Sequence, residues 1–224
     1  MAQAREKVRI AVFDLNGTLY NKSSKEEFYK FICTKQPGKV FTYAQMAYFE
    51  FMKKLNLINQ TEFKENFFNY LDDIPPKQVE VYAREFWTQE YPDEFNQELL
   101  AHVETLRRKG VKIVCATGAL ELYVKPLFER FRVDAFMGTR VEYVDKTYKV
   151  IGEACKGTEK VNRLDAVFGK GNYRIVEAYS DYYEEMFDDT ECPFFIKDGQ
   201  ITPFTQGRGD EPEKNNTVTP GTNQ

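Results

Sequence analysis

Histidine occurs once in the 224 residues, at His102, and the four cysteines, Cys33, Cys115, Cys155 and Cys192, form no C-x-x-C pair. That leaves neither zinc-site nor redox-motif spacing. A disulfide framework would be unusual at this chain length, and Cys115 falls inside an apolar run where a reduced, buried thiol is expected. Excess charge is also missing. With 31 basic and 35 acidic residues the net charge is −4, and Arg107-Arg108-Lys109 reads as the solvated end of a helix. Nothing here supplies the basic footprint of a nucleic-acid partner. No apolar run approaches the roughly 18 residues of a membrane span. The first residues, Met-Ala-Gln-Ala-Arg-Glu-Lys, lack a signal-peptide h-region, so the expected compartment is the cytoplasm.

What is present is a set of short apolar runs separated by helical patterns. Val8 to Leu15 is β-rich, apolar and closed by the turn signal Asn16-Gly17, as expected of a strand buried on both faces. Val111 to Ala116, Ala135 to Met137 and Tyr173 to Tyr179 read as further strands. Helices are expected over Glu121 to Phe131 and Thr158 to Phe168, and Gly110 fits the C′ position of the helix before the second strand. This alternation predicts βαβ units and a parallel sheet.

Residues 20 to 104 hold no convincing strand. Helical patterns cover Ser24 to Cys33, Phe41 to Leu55, Thr61 to Leu71 and Lys77 to Glu90. Ser24-Lys25-Glu26-Glu27 has capping-box form, and Pro75-Pro76 suits the opening turn of the fourth helix. The segment carries 18 of the chain's 34 aromatics. A small helical insertion needs such side chains for its own core, and they also suit a groove for an aromatic or lipid-like ligand. The expected organisation is a core of residues 1–19 and 105–205, a helical cap over 20–104, and a disordered tail over 206–224, which is rich in Gly, Pro, Asn, Thr and charge.

The chemistry concentrates at Phe13 to Tyr20, FDLNGTLY. A strand delivers Asp14 to its carboxyl end, where ligands of parallel sheets bind. Gly17 permits a sharp turn and close ligand approach, and Thr18 offers hydroxyl and amide donors. The run resembles the first motif, Asp-x-Asp-Gly-Thr, of the haloacid dehalogenase superfamily. Three further motifs follow in that superfamily's order: Thr117-Gly118 closing a strand, a lysine near a helix start within Cys155-Lys156-Gly157-Thr158-Glu159-Lys160, and the acidic run Asp181 to Glu185 after a strand. The pattern Cys-x-Gly-x-Glu-Lys-Val is similar to the phosphoserine-phosphatase-like subfamily and singles out Lys160.

The resemblance covers roughly residues 8 to 204. It implies an α/β fold with a Rossmann-like parallel sheet flanked by helices, and an all-helical cap inserted after the first strand. It also implies a phosphatase with Asp14 as nucleophile and an aspartyl-phosphate intermediate. Magnesium would be held by Asp14, the backbone carbonyl of Asn16 and Asp181, with Glu185 reaching the metal or Lys160. Thr18, Thr117, Gly118 and Lys160 would hold the phosphate. A magnesium ion neutralises both reacting charges, and the remaining catalysis is positioning and electrostatics.

Two departures stand out. Asn16 occupies the place of the family's acid–base Asp, and Tyr182 and Glu185 replace the Ser and last Asp of the fourth motif. An amide cannot shuttle a proton, a function worth about 10²–10⁴ in rate. An engineered trap, slower natural chemistry, a substrate with a good leaving group, and deamidation at Asn16-Gly17 all remain open. So do a phosphate-binding protein with weak turnover and a phosphotransferase, since fold alone does not fix function.

Overall fold

The structure, a computed structural model, describes residues 6–205 of the chain; the tail expected over 206–224 lies outside the described residues. The first strand, β1 (Val8–Phe13), is followed by four helices: α1 (Ser24–Lys35), α2 (Tyr43–Lys54), α3 (Gln60–Phe67) and α4 (Pro76–Glu90). Next come α5 (Gln97–Arg108), β2 (Lys112–Leu120), the short α6 (Glu121–Val124) and β3 (Ala135–Thr139). A hairpin of β4 (Val141–Val144) and β5 (Thr147–Val150) precedes α7 (Thr158–Phe168) and β6 (Tyr173–Ser180). The chain then forms β7 (Thr190–Lys197) and β8 (Gln200–Pro203).

Six strands make one sheet in the order β3-β2-β1-β6-β7-β8. All neighbours are parallel except β7 and β8. Alternation on the central strands sends Ala11, Phe13, Ile113 and Cys115 to one face, and Ile10, Val12, Val114 and Ala116 to the other. Every one of these side chains is fully buried, which accounts for the continuous apolar runs of a sheet covered on both faces. Each large aliphatic buried there, such as Ile10, Val12, Ile113 and Val114, stabilises the fold by about 1.5–3 kcal/mol. The lone histidine lies at this sheet and not in the site: His102 Nε2 is 2.7 Å from Glu177 Oε2, which also accepts from Tyr179 Oη.

Between β1 and β2 every regular element is helical. Most aromatics of this insertion, including Phe28, Phe67, Phe68, Tyr70, Phe86 and Trp87, are buried in one cluster that is continuous with Ala11, Phe13, Ile113 and Cys115 of the sheet. Pro76 occupies the first turn of α4, and Gly110 takes φ +72° just after α5.

Three local expectations are corrected. The capping box at Ser24 does not form: the Ser24 amide donates to Asn16 Oδ1 (2.7 Å) and the Ser24 hydroxyl meets Tyr123 Oη (3.1 Å). A reciprocal box closes instead at Asn59 and Glu62. The helix expected over Glu121 to Phe131 shortens to α6 and a 3-10 turn at Lys125–Glu129, because Pro126 has no amide to donate and crowds the preceding turn. The hairpin β4–β5 and the strands β7 and β8 extend the sheet content beyond the expected four strands.

Candidate functional site

β1 carries the chain to Asp14, whose amide donates to the Tyr179 carbonyl of β6 at 2.9 Å, fixing this residue at the carboxyl end of the sheet. Gly17 then turns at φ +67°. A Cβ at Gly17 would lie 2.3 Å from Asp181 Oδ2, so glycine is required for the acidic loop after β6 to lean on the loop after β1. β2 brings Thr117 and Gly118 alongside, and a register irregularity against β3 marks this end of the strand. There Thr117 Oγ1 accepts from the Ala119 amide at 3.3 Å.

Lys160 projects from the first turns of α7 into this cluster. It is fully buried; its Nζ is 3.0 Å from Asp14 Oδ1 and is also hydrogen-bonded to Glu184. Burial opposes its charge, but Asp14, Tyr182 and Glu184 overcome that and hold its pKa well above the usual lysine range. Lys160 is therefore a fixed cation beside the Asp14 carboxylate. Asp181 keeps an exposed edge at the rim; partial burial and the charge of Asp14 hold its pKa up to about 6.

The geometry thus gathers Asp14, Asn16, Thr117, Gly118, Lys160 and Asp181 at one end of the sheet. Thr18 is buried beneath, and its hydroxyl has no hydrogen-bond partner among the described residues. Glu185 is not brought to Lys160. It opens a 3-10 turn, is exposed, and lies against Gly157, where a Cβ would sit 3.1 Å from its Oε1. The residue before that turn, Glu184, points inward instead. Motif spacing favoured 185, and only the turn geometry separates the two.

A cavity of about 300 Å³ opens in front of Asp14, Asn16, Gly118 and Asp181. Its far wall comes from the helical insertion, with Lys25, Glu50, Lys53, Lys54, Phe63 and Lys64. Lys64 was not anticipated from sequence; it reads as one more polar position on an amphipathic helix. It is 7% exposed, and burial with Lys156 and Lys25 nearby pushes its pKa down to about 7. Among the described residues, no three His, Cys, Asp or Glu side chains cluster to hold a metal. Two carboxylates, Asp14 and Asp181, brought together across Gly17 are nonetheless hard oxygen donors of the type magnesium takes, with waters and backbone carbonyls completing its shell.

A carboxylate at a strand end, a buried lysine against it and an insertion roofing the pocket are the parts of one hydrolase class. The chain belongs to the haloacid dehalogenase-like hydrolase family, whose family model matches residues 11–184. It is 29% identical to Protein CicA of Caulobacter vibrioides over 181 residues, 77% of this chain and 78% of that one. A protein of unknown function from Bordetella pertussis Tohama I shares the fold at TM-score 0.70 and 19% identity, over 84% of this chain and 89% of that one. Phosphoserine phosphatase from T. onnurineus matches at TM-score 0.54 and 18% identity, over 86% and 85% of the two chains. No helix among the described residues is long and apolar enough to cross a membrane.

Proposed function

We propose that the protein hydrolyses a phosphomonoester through a covalent phosphoryl group on Asp14. The observation that carries this reading is the buried contact of Lys160 Nζ with Asp14 Oδ1 at 3.0 Å at the carboxyl end of β1. Lys160 holds the Asp14 side chain in place at the cavity, and its remaining donor capacity serves the transferred phosphoryl oxygens. Thr117 and the backbone at Gly118 steady the same oxygens, and the unpartnered Thr18 hydroxyl backs the loop that carries Asp14. Asp14, Asp181 and the carbonyl of Asn16 would hold magnesium, which supplies charge neutralisation between nucleophile and phosphate. Attack forms the Asp14 Oδ–P bond and breaks the bond to the leaving oxygen. Water then cleaves the acyl phosphate, returning Asp14.

In this reading residues 20–104 act as a cap over a core of 1–19 and 105–205. A mostly apolar cavity of about 630 Å³, lined by Tyr29, Val40, Tyr43, Met46 and Phe67 and sharing Glu50 with the lining of the catalytic cavity, would take the apolar part of an aromatic or lipid-like phosphoester.

A second reading, phosphate binding with little turnover, is favoured by Asn16, whose Oδ1 is engaged by the Ser24 amide and which has no proton to give a leaving oxygen. Hydrolysis of a nitrophenyl phosphate with and without magnesium separates the two. Magnesium-dependent release supports the phosphatase; phosphate binding without release supports the second reading.

A further inference from the structure

The cavity in front of Asp14 is far more cationic than one phosphate requires. Five lysines line it: Lys25, Lys53, Lys54, Lys64 and Lys156. Among the described residues, carboxylates on the same lining number three, and two of these, Asp14 and Asp181, belong to the strand ends. The third, Glu50, is already taken, since Lys25 Nζ lies 2.6 Å from its Oε1. Lys53, Lys54 and Lys64 therefore face the cavity with no carboxylate or hydrogen-bond partner among the described residues. Among the described residues Lys156 Nζ meets the Tyr182 ring, 5.5 Å away, and no carboxylate.

Lys64 sharpens the point. It is 7% exposed, packs its Nζ 5.8 Å from the Phe68 ring centroid, and stands near two like charges. Buried cations are stable when paired, and an isolated one is costly. Burial beside Lys156 and Lys25 appears as the depressed pKa of Lys64. An arriving anion would relieve that cost.

Resting on the phosphatase reading of this site, we propose that the insertion wall formed by Lys53, Lys54 and Lys64 is a second anion subsite. The substrate is then a phosphomonoester bearing a second anionic group, a carboxylate or a phosphate, with no ammonium beside it. An ammonium there would meet three lysines, and Glu50, the one carboxylate that the described residues place on this wall, is committed to Lys25. Amino-acid phosphates are disfavoured on the same ground.

The test is calorimetric binding of non-hydrolysable phosphonates to the full chain. Butylphosphonate, 4-phosphonobutanoate, butane-1,4-bisphosphonate and 2-amino-4-phosphonobutanoate are compared, with shorter and longer homologues alongside. At least one bifunctional length should bind about tenfold or more tighter than its monofunctional partner. Whichever of carboxylate or phosphonate gains more identifies the second group. The amine should lower affinity relative to 4-phosphonobutanoate. Lys53→Gln/Lys54→Gln, at the outer end of α2 where folding is not at risk, should remove most of the preference, and Lys64→Met should do the same. Equal affinities across all lengths, no binding of any probe, a preference untouched in both variants, or an amine that strengthens binding would each overturn the proposal. Failure of the phosphatase reading looks different: the bifunctional preference persists while no phosphomonoester is hydrolysed.

Discussion

Among single residues Asn16 decides the chemistry open to this site. Its side chain is held by the Ser24 amide at the point where the chain leaves the sheet for the insertion, so the amide oxygen has a structural partner whatever the chemistry. A carboxylate at 16 can accept the same hydrogen bond, and Asn16→Asp should therefore fold normally. It should raise turnover of an alkyl phosphate by about tenfold or more, and that of nitrophenyl phosphate less, because only the alkoxide needs a proton on leaving. Steady-state kinetics on both substrates, after mass spectrometry has confirmed an intact amide at 16, checks this. Equal rates for the two proteins on the alkyl substrate would assign the proton to another group. Asp181 gives a second residue-scale outcome. Its folded pKa of about 6 lies above the usual carboxyl value near 4, so folding favours its protonated form. That contribution to stability is present at low pH and is lost as pH rises from about 4 to about 6. At pH 7.5 without metal, Asp181→Asn should melt higher than the parent. Magnesium should raise the parent's Tm and scarcely move the variant's. A variant that melts lower, or that gains as much from magnesium, would take Asp181 out of the metal site.

Elements explain which parts of the architecture were legible. Strands β1, β2, β3 and β6 were visible because each carries a short, mostly apolar, largely buried stretch between helical patterns. The edge was harder. β7 holds Pro193, which demotes a strand in any sequence reading, yet it pairs in parallel with β6 along its length. β8 follows through Asp198-Gly199, both at positive φ, a two-residue turn of the Asp-Gly type that marks a hairpin in the sequence itself. The β4–β5 turn uses Asp145 and Lys146 at positive φ, and Lys at such a position carries no clear sequence mark. This hairpin reaches the insertion: Tyr148 Oη donates to the Ile74 carbonyl at 2.7 Å, and the Asp73 amide donates to the Lys146 carbonyl at 2.8 Å. Tyr148 is 4% exposed, so Tyr148→Phe leaves a buried carbonyl unmatched. A loss of about 1–3 kcal/mol in urea unfolding is expected. A loss below about 0.5 kcal/mol would mean that water reaches Ile74 and that the hairpin does not pin the insertion.

Across the whole molecule, topology places the chemistry. β1 sits in the middle of the sheet, with β2 on one side and β6 on the other, so Asp14, Thr117 and Asp181 converge from three neighbouring strands, and α7 adds Lys160. That convergence was predictable in kind from four motifs in order. The identity of the buried carboxylate beside Lys160, Glu184 instead of Glu185, depended on a 3-10 turn that no spacing rule reports. The lysines of the far wall were invisible for another reason: they become neighbours only when α2 and α3 fold back over the strand ends. In the phosphatase reading Asp14 carries the phosphoryl group. This is tested most directly by acid-quenching the magnesium-loaded protein during turnover of a labelled phosphomonoester, reducing with borohydride and mapping the modified peptide. Conversion of Asp14, and of no other carboxylate, to homoserine is the predicted result, with labelling lost in Asp14→Ala. Turnover that persists in Asp14→Ala, or an acyl phosphate mapped to a different residue, would contradict it.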